Sequence, residues 1–515
     1  MSKTVFTEIS PSEFFYRNRD LAGFSNPSRA LYSAVRELVE NSLDSCELYT
    51  ILPEVYVRIT ATRGNEDKSD PKHYEIVVMD NGSGIEGDQV PKAFGRIFYG
   101  SKYRLRQARG MFGMGGTMSI LYGQITTNRP VEISSSVDGV KYERFLMMID
   151  IEKNTPLILE RQKGDAKGWR GTRVRLTLEG DYFRSSAKIF DYFKNTALVT
   201  PYANITFVDP TGRLVHYTRG TSVMPDPPKE TLPHPHGIDV EAAKRMIRLW
   251  KGGPIYKFMV QSFHRVGEKI ALDFLKYAGI PPDTDPKTLS NEDLVRFTQA
   301  LHDYDGFLPP DGKCLSPMGE EIFSAGIVKE LSPEFFTVTA REPAAYSGFP
   351  FIVEVGLAYG GKINQQGIKL LRFANRIPLL YDEGSDVSWK VLSEEIDLKR
   401  YRVDQDAPII LMTHICSTKV PFKTVGKEYI ADRPEVEKEL RNGIREVFRK
   451  LQIYLSRVGS MEKQRKKMNI YSKYMPLIAR FSTALAGAKK FPPYNKLIGL
   501  DIFQEEGEED NVKDS

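Results

Sequence analysis

The sequence predicts an α+β protein of several domains, in which two mixed α/β regions flank a helical one and a long helix follows. Three observations carry this. Apolar–polar alternation, the period of a half-buried strand, appears at YEIVVMD (74–80) and TRVRLTL (172–178), and strand signals return beyond residue 307. Between these regions, from 238 to about 306, apolar residues recur instead at helical spacing. The length of 515 residues suits roughly two to four domains at ~100–200 residues each.

Each part has its own signals. Residues 1–227 hold the glycine clusters and the first alternating segments. The segment PDPPKETLPHPHG (225–237) carries five prolines in thirteen residues. It can continue neither a helix nor an inner strand, so it marks a boundary. In 228–306, VEAAKRMIRLWK and SNEDLVRFTQALHDY have helical spacing, and SNED is a helix start. Between them, the glycine turn of RVGEKIALDFLKYAGI enters a further helix. In 307–470, FIVEVGLAYGG, LLRFANRIPLLY and APIILMTHI read as strands. A charged helix, broken by no proline after Pro434, is expected from about Arg433 to Gln464 and has the length of a stalk. Residues 471–515 are a C-terminal segment whose acidic tail, QEEGEED, has a disordered composition. There is no internal repeat.

Composition excludes several classes. With 41% hydrophobic and 27% charged residues, the chain is neither mostly disordered, nor collagen-like, nor a small disulfide scaffold. Its net charge is only +5, from 72 Lys and Arg against 67 Asp and Glu, so any contact with nucleic acid must come from local patches. Cys46, Cys314 and Cys416 are odd in number and lack CxxC spacing, which points to reduced thiols in a cytoplasmic protein. The N-terminus has no signal-peptide core, and the most apolar later run, Phe349–Gly361, contains Glu354 and is too short to span a bilayer. No membrane association is expected.

Four constellations carry chemistry. In RALYSAVRELVENSLDSCE (29–47), Leu31, Ala34, Val35, Leu38 and Ser42 form a buried face. Glu37, Asn41 and Asp44, at i, i+4 and i+7, share another. A carboxylate and an amide one turn apart can activate a water and ligate Mg2+, which prefers oxygen ligands and keeps most of its waters. A polar surface stripe would look the same. In EIVVMDNGSGI (75–85), a strand ends at Asp80, ahead of Gly82 and Gly84. Such an aspartate can accept from an exocyclic amine while the glycines admit a flat ring, though Asn-Gly also fits a hairpin. In SKYRLRQARGMFGMGGTMSILYG (101–123), Gly110, Gly113, Gly115 and Gly116 precede an apolar stretch. Glycines entering a helix expose N–H groups to phosphate, and a flexible lid is the plainer reading. In GWRGTRVRL (168–176), Gly171-Thr172 opens a strand and means little by itself.

Their order and spacing together resemble the GHKL ATPase fold shared by gyrase B, MutL, Hsp90 and histidine kinases. A closer resemblance, over roughly residues 7–470, is to the topoisomerase VI B subunits. EISPSEFFYRNRDLAGFSNPSRALYSAVRELVENSLDS, SKYRLRQARGMFGMGG, CLSPMGEE, FIVEVGLAYGG, NRIPLLYD and STKVPFKTVGKE carry it.

The resemblance implies a GHKL domain with an N-terminal strap (1–227), a helix-two-turn-helix domain (228–306), a transducer with a stalk helix (307–470) and the C-terminal segment. It implies ATP and Mg2+ as ligands. Glu37 is similar to the general base, Asn41 to the magnesium ligand and Asp80 to the adenine-reading aspartate. Ser101 and Lys102 stand where the family contacts the nucleotide. Gly110, Met111, Phe112, Gly113, Met114, Gly115, Gly116 and Thr117 correspond to the phosphate-binding lid. Lys427 resembles the lysine that reaches from the transducer to the γ-phosphate. Arg265, Lys269 and Lys399 are candidate contacts to double-stranded DNA. The family's WKxY motif aligns with LKRY, where Leu398 replaces the tryptophan while Lys399 and Tyr401 are kept. Cleavage would belong to a separate A subunit in an A2B2 assembly, with two B subunits closing on each other through their ATPase domains when ATP binds. The alternative is a GHKL protein clamp of the chaperone type without topoisomerase activity.

Overall fold

The computed structural model describes residues 9–62, 72–100, 105–110, 113–423, 426–490 and 494. The described residues up to Leu398, together with Asp404–Val447, form one compact unit; Lys399–Val403 and the described residues from Phe448 onward form a second.

The described residues open on helix α1 (Pro11–Arg17), capped by Ser10, and α2 (Pro27–Glu47). Asn26 accepts the Arg29 N–H and Pro27 fills the first turn, so α2 starts where its missing donors are satisfied. Leu31, Ala34, Val35 and Leu38 are buried on it, as the spacing predicts. Next come β1 (Glu54–Ala61), β2 (Lys72–Met79), α3 (Val90–Gly95), α4 (Gly115–Thr127), β3 (Val131–Ser136), β4 (Lys141–Asp150) and β5 (Thr155–Asp165). They are followed by β6 (Gly171–Gly180), α5 (Tyr182–Val199), β7 (Asn204–Val208) and β8 (Leu214–Tyr217).

The eight strands form one sheet in the order β5-β4-β3-β6-β2-β1-β7-β8. All neighbours are antiparallel except β1 and β7. Helices α2, α4 and α5 share one core with it, through Leu31, Leu38, Met118, Leu121, Ile189 and Phe193 against Val57, Ile76, Val174 and Leu176. The β2–β6 register pairs Met79 with Arg173, so Asp80 emerges beside Thr172 and donates its N–H to the Thr172 carbonyl at 3.0 Å.

The proline-rich stretch before residue 238 forms only a short 3-10 turn, as expected of a boundary. Helices α6 (Val240–Leu249), α7 (Ile255–Ser262), α8 (Glu268–Ala278) and α9 (Asn291–Asp303) then surround a core of Phe258, Phe263, Phe274, Phe297 and Phe307. Ser290 and Asp293 form a reciprocal capping box at the start of α9.

The last region holds α10 (Gly319–Leu331), β9 (Phe335–Ala340), β10 (Ala344–Tyr346), β11 (Phe349–Tyr359), β12 (Ile368–Ala374), β13 (Ile377–Pro378), α11 (Val387–Lys390) and β14 (Ile409–Ser417). β11 pairs antiparallel with β14, which runs parallel to β12, while β9 and β10 hold opposite ends of β11's other edge. The apolar run Phe349–Gly361 is therefore an inner strand; among the described residues, no helix is long and apolar enough to cross a membrane. Helix α10 joins the two sheets: Phe323, Ile327 and Met412 share a core with Leu198, Val199 and Tyr202 at the end of α5.

Helix α12 (Pro434–Leu485) is longer than its sequence suggested, continuing beyond Gln464 and through Pro476. One proline removes a single backbone bond, and no glycine stands between Gly459 and Gly487 to end the helix. The acidic tail lies outside the described residues.

Gly326 lets α10 seat on α5, because a Cβ there would overlap the Leu198 carbonyl. Gly326→Ala is expected to destabilise the chain by about 1–3 kcal/mol through overpacking, read as a lower midpoint in urea unfolding.

Candidate nucleotide site

Helix α2 crosses the sheet so that Glu37, Asn41 and Asp44 face a cleft of about 650 Å³. The stripe is thus the floor of a cavity rather than a solvated surface. Asp80, Gly84, Gly110, Gly113–Thr117 and Thr172 line the same cleft, and Asn375, Arg376 and Lys427 enter it from the region of the second sheet.

Glycine allows the closest approach. Helix α4 begins at Gly115, and a Cβ there would overlap the Glu37 carboxylate; one on Gly116 would stand 3.2 Å from Asn41 Nδ2. The positive end of α4 therefore lies against the α2 stripe, a fit for phosphate.

Asp80 is buried and held by three donors. The Ser42 hydroxyl reaches Oδ2 at 2.8 Å, while the Gly82 and Thr172 N–H groups reach Oδ1 at 2.9 and 3.1 Å. Burial pushes its pKa up against the pull of these bonds. Two sequence readings change here. Ser42, placed on the apolar face by spacing, uses its hydroxyl to orient Asp80. Gly171-Thr172, uninformative alone, packs directly on Asp80, since a Cβ on Gly171 would overlap the Asp80 carbonyl.

Lys427 is buried, with Nζ 3.3 Å from Glu37 Oε1 and 3.1 Å from Glu40 Oε2. Arg36 donates to Glu37 Oε1 at 2.8 Å and to the Gly426 carbonyl at 3.1 Å. Arg29 pairs with Glu428. Three successive loop residues are thus fastened to α2. Burial alone would raise the Glu37 pKa, but Lys427 and then Arg36 outweigh it and hold the carboxyl at about 2. For Glu40 burial prevails, and its pKa is raised.

A second buried network centres on Glu47. Arg109, fully buried, donates to both Glu47 oxygens at 2.6 and 2.7 Å and to Asp44 at 2.9 Å. Arg376 reaches Glu47 at 2.8 Å and the Tyr202 hydroxyl does so at 2.6 Å. The two arginines and the tyrosine hold the Glu47 pKa down against its burial. Asn375 donates to the Ala108 carbonyl at 3.0 Å, and Gln107 exchanges two bonds with Ser316. The root of the glycine loop is therefore fixed to the second sheet. The Arg376 N–H is in turn accepted by His414 Nε2, while His414 Nδ1 donates to Glu354 at 2.7 Å. Glu354 also accepts the Met318 and Gly319 N–H groups. With Cys416 alongside, these side chains have the donor types of a metal site, but their hydrogen bonds are already closed among themselves.

Sequence reasoning missed Arg36, Glu40, Glu47, Arg109 and Arg376. The available signal was charge inside apolar runs: Glu40 and Glu47 within a well-packed helix, and Arg376 between LLRFAN and IPLLY. Of the predicted residues, Ser101, Lys102, Met111 and Phe112 lie outside the described residues. Arg265 and Lys269 are exposed and do not line the cleft, and Arg265 donates to the Pro309 carbonyl at 2.7 Å. Lys399 is exposed on a 3-10 turn (Leu398–Tyr401), whose Tyr401 packs on Phe448 with ring centres 5.6 Å apart.

Comparison with known proteins accounts for both halves of this arrangement. The family model described as histidine kinase-, DNA gyrase B- and HSP90-like ATPase matches residues 26–179. The model described as topoisomerase VI B subunit, transducer, matches 310–467. The B subunit of type 2 DNA topoisomerase 6 from Metallosphaera sedula is 44% identical over 97% of this chain and 96% of its own length. The chain belongs to the topoisomerase VI B subunit family. Relatives of the same name from Sulfurisphaera tokodaii and Saccharolobus islandicus are 43% and 42% identical, over 93% and 98% of this chain and 90% and 95% of theirs. In this B-subunit family member, the GHKL ATPase sheet and the transducer sheet are the eight-stranded and second sheets described above.

Glu47→Ala in this chain would leave Arg109 and Arg376 buried without their shared carboxylate. A loss of about 3–5 kcal/mol is expected for such an uncompensated charge, measured by urea unfolding, whereas an exposed glutamate such as Glu241 should change stability little.

Proposed function

We propose that the α2–α4 cleft binds and hydrolyses ATP, and that this chain is the ATP-operated gate of a type IIB DNA topoisomerase. The observation that carries it is the meeting at Glu37 of the α4 N-terminus and a lysine from the transducer side. Glu37 would orient and deprotonate the attacking water. Asp80, fixed by Ser42, Gly82 and Thr172, would accept the adenine amine. The N–H groups of Gly110 and Gly113–Thr117 would hold phosphate, and Lys427 would meet the γ-phosphate as a charge-assisted donor. Asn41 fits a magnesium ligand because its side chain lines the cleft beside the phosphate-binding helix end; the ion would neutralise phosphate charge. Ser101, Lys102, Met111 and Phe112 are assigned to the nucleotide by resemblance.

The domain division follows the same reading: 1–227 the ATPase with its strap, 228–306 the helix-two-turn-helix domain, 307–470 the transducer and 471–515 the tail. We further infer a cytoplasmic A2B2 assembly in which an A subunit cleaves double-stranded DNA. Two B subunits would close through their ATPase domains on ATP binding. Lys399, Arg265 and Lys269 are exposed and remain candidates for phosphate contacts. The protein-clamp alternative is not favoured, since B-subunit relatives match this chain along nearly its whole length, helical insert included.

Two measurements test this. Glu37→Ala should retain ATP binding and lose at least about a hundredfold in turnover, the scale of a general base; normal hydrolysis would remove Glu37 from that role. Mixed with a competent A subunit, ATP, magnesium and supercoiled DNA, the chain should relax the DNA only when ATP is present. Inactivity with such a partner would overturn the gate assignment.

A further inference from the structure

We propose that Glu40 is a positioning residue that parks Lys427 on the general base until a phosphate draws the lysine away, so that nucleotide capture and release of Glu37 are one event. The proposal rests on the ATP-site reading above.

Glu40 follows Glu37 by three positions on α2, and both carboxylates take the same ammonium. Their surroundings differ. Glu37 and Lys427 line the cleft, whereas Glu40 is buried behind them and does not line it. Glu40 can therefore act on a nucleotide only through the lysine. Its Oε2 accepts from Lys427, while Oε1 has no hydrogen-bond partner. Arg36 Nε likewise has none and stands 3.5 Å from that oxygen. The two are already ion-paired without a hydrogen bond, so when Lys427 leaves, Arg36 can close on Glu40 and the buried carboxylate is not stranded.

The lysine is also held under tension. Lys427 has φ +54°, a left-handed conformation unfavourable for a residue with a side chain. It persists because Gly426, Lys427 and Glu428 are each tied to α2 by Arg36, by the two glutamates and by Arg29. In this arrangement Glu37 is a weak base, with its carboxyl at about 2. Transfer of Lys427 to a phosphate removes one of its two cations, and burial then raises the Glu37 pKa back toward the ordinary carboxylate range. Glu40 thus competes with phosphate for one cation and keeps hydrolysis silent until phosphate wins.

The test uses the full chain and a non-hydrolysable ATP analogue, with affinity read by calorimetry and closure by crosslinking of the dimer. Glu40→Gln keeps the shape and removes the competing charge. It should tighten analogue binding by about tenfold, equivalent to ~1.4 kcal/mol, and shift closure to lower analogue concentration. KM for ATP should fall in step. In a Lys427→Met background, the same Glu40→Gln change should leave affinity unmoved. A purely structural Glu40 would instead lower thermal stability without tightening binding. If Glu40→Gln does not fold, Glu40→Asp, which withdraws the carboxylate from Nζ, should show the same shift in smaller measure. Unchanged or weaker binding, or an equal effect in both backgrounds, overturns the proposal. Failure of the unmodified chain to bind the analogue would instead overturn the ATP-site reading.

Discussion

Lys427 and Glu37 stand 390 positions apart in sequence and meet, both buried, at the wall of the cleft. Two buried charges in contact are tolerable only when both are well paired, so the meeting dictates much of the surrounding structure. The loop bearing the lysine must be fastened to α2, which Arg36 and Arg29 accomplish. The second sheet must be docked on the first, which the α5–α10 core and the Glu47 network accomplish. The end of α4 must come within contact distance of the same carboxylate, which requires glycine at 115. Each of these constraints serves a single short stretch of α2.

The charges divide into two sets along that helix. Near Glu37 and Glu40 a single ammonium serves two carboxylates, and one oxygen and one nitrogen have no hydrogen-bond partner. Near Glu47, one carboxylate serves two guanidiniums and a phenol: Arg109 takes both of its oxygens, Arg376 and Tyr202 one each, while Arg109 Nε and Arg376 Nε have no hydrogen-bond partner. The two sets therefore differ in which sign is shared: a cation between two carboxylates in the first, a carboxylate between two cations in the second.

Much of this was legible in the sequence because it is local. The capping box of α9 and the end of β2 at Asp80 follow from residues within a few positions of each other. The Glu37–Asn41–Asp44 stripe followed from helical spacing, and the glycine cluster marked the start of α4. What was not legible depends on distant partners. Glu47 is an unremarkable helix terminus until Arg109 and Arg376 arrive from 62 and 329 positions away. Ser42 looks like a small core residue until β2 brings Asp80 beside it. Gly171-Thr172 acquires meaning only through the β2–β6 register. The length of α12 was underestimated for another reason: a proline is a strong local signal, but a long helix can absorb the loss of one bond.

The burial of Arg109 immediately before Gly110 bears on how this protein can be taken apart. A fragment ending near residue 306 would keep the cleft-lining residues of the first sheet and its helices, yet it would lack Arg376, Asn375 and Lys427. Glu47 would lose one of its two guanidiniums, the segment carrying the glycine loop would lose its fastening at Ala108, and Glu37 and Glu40 would face each other with only Arg36 between them. Such a fragment would not report the chemistry of the intact chain, and ligands selected against it would meet a differently charged cavity. The smallest faithful unit for dissection, or for inhibitor discovery, runs from α1 through the start of the last helix.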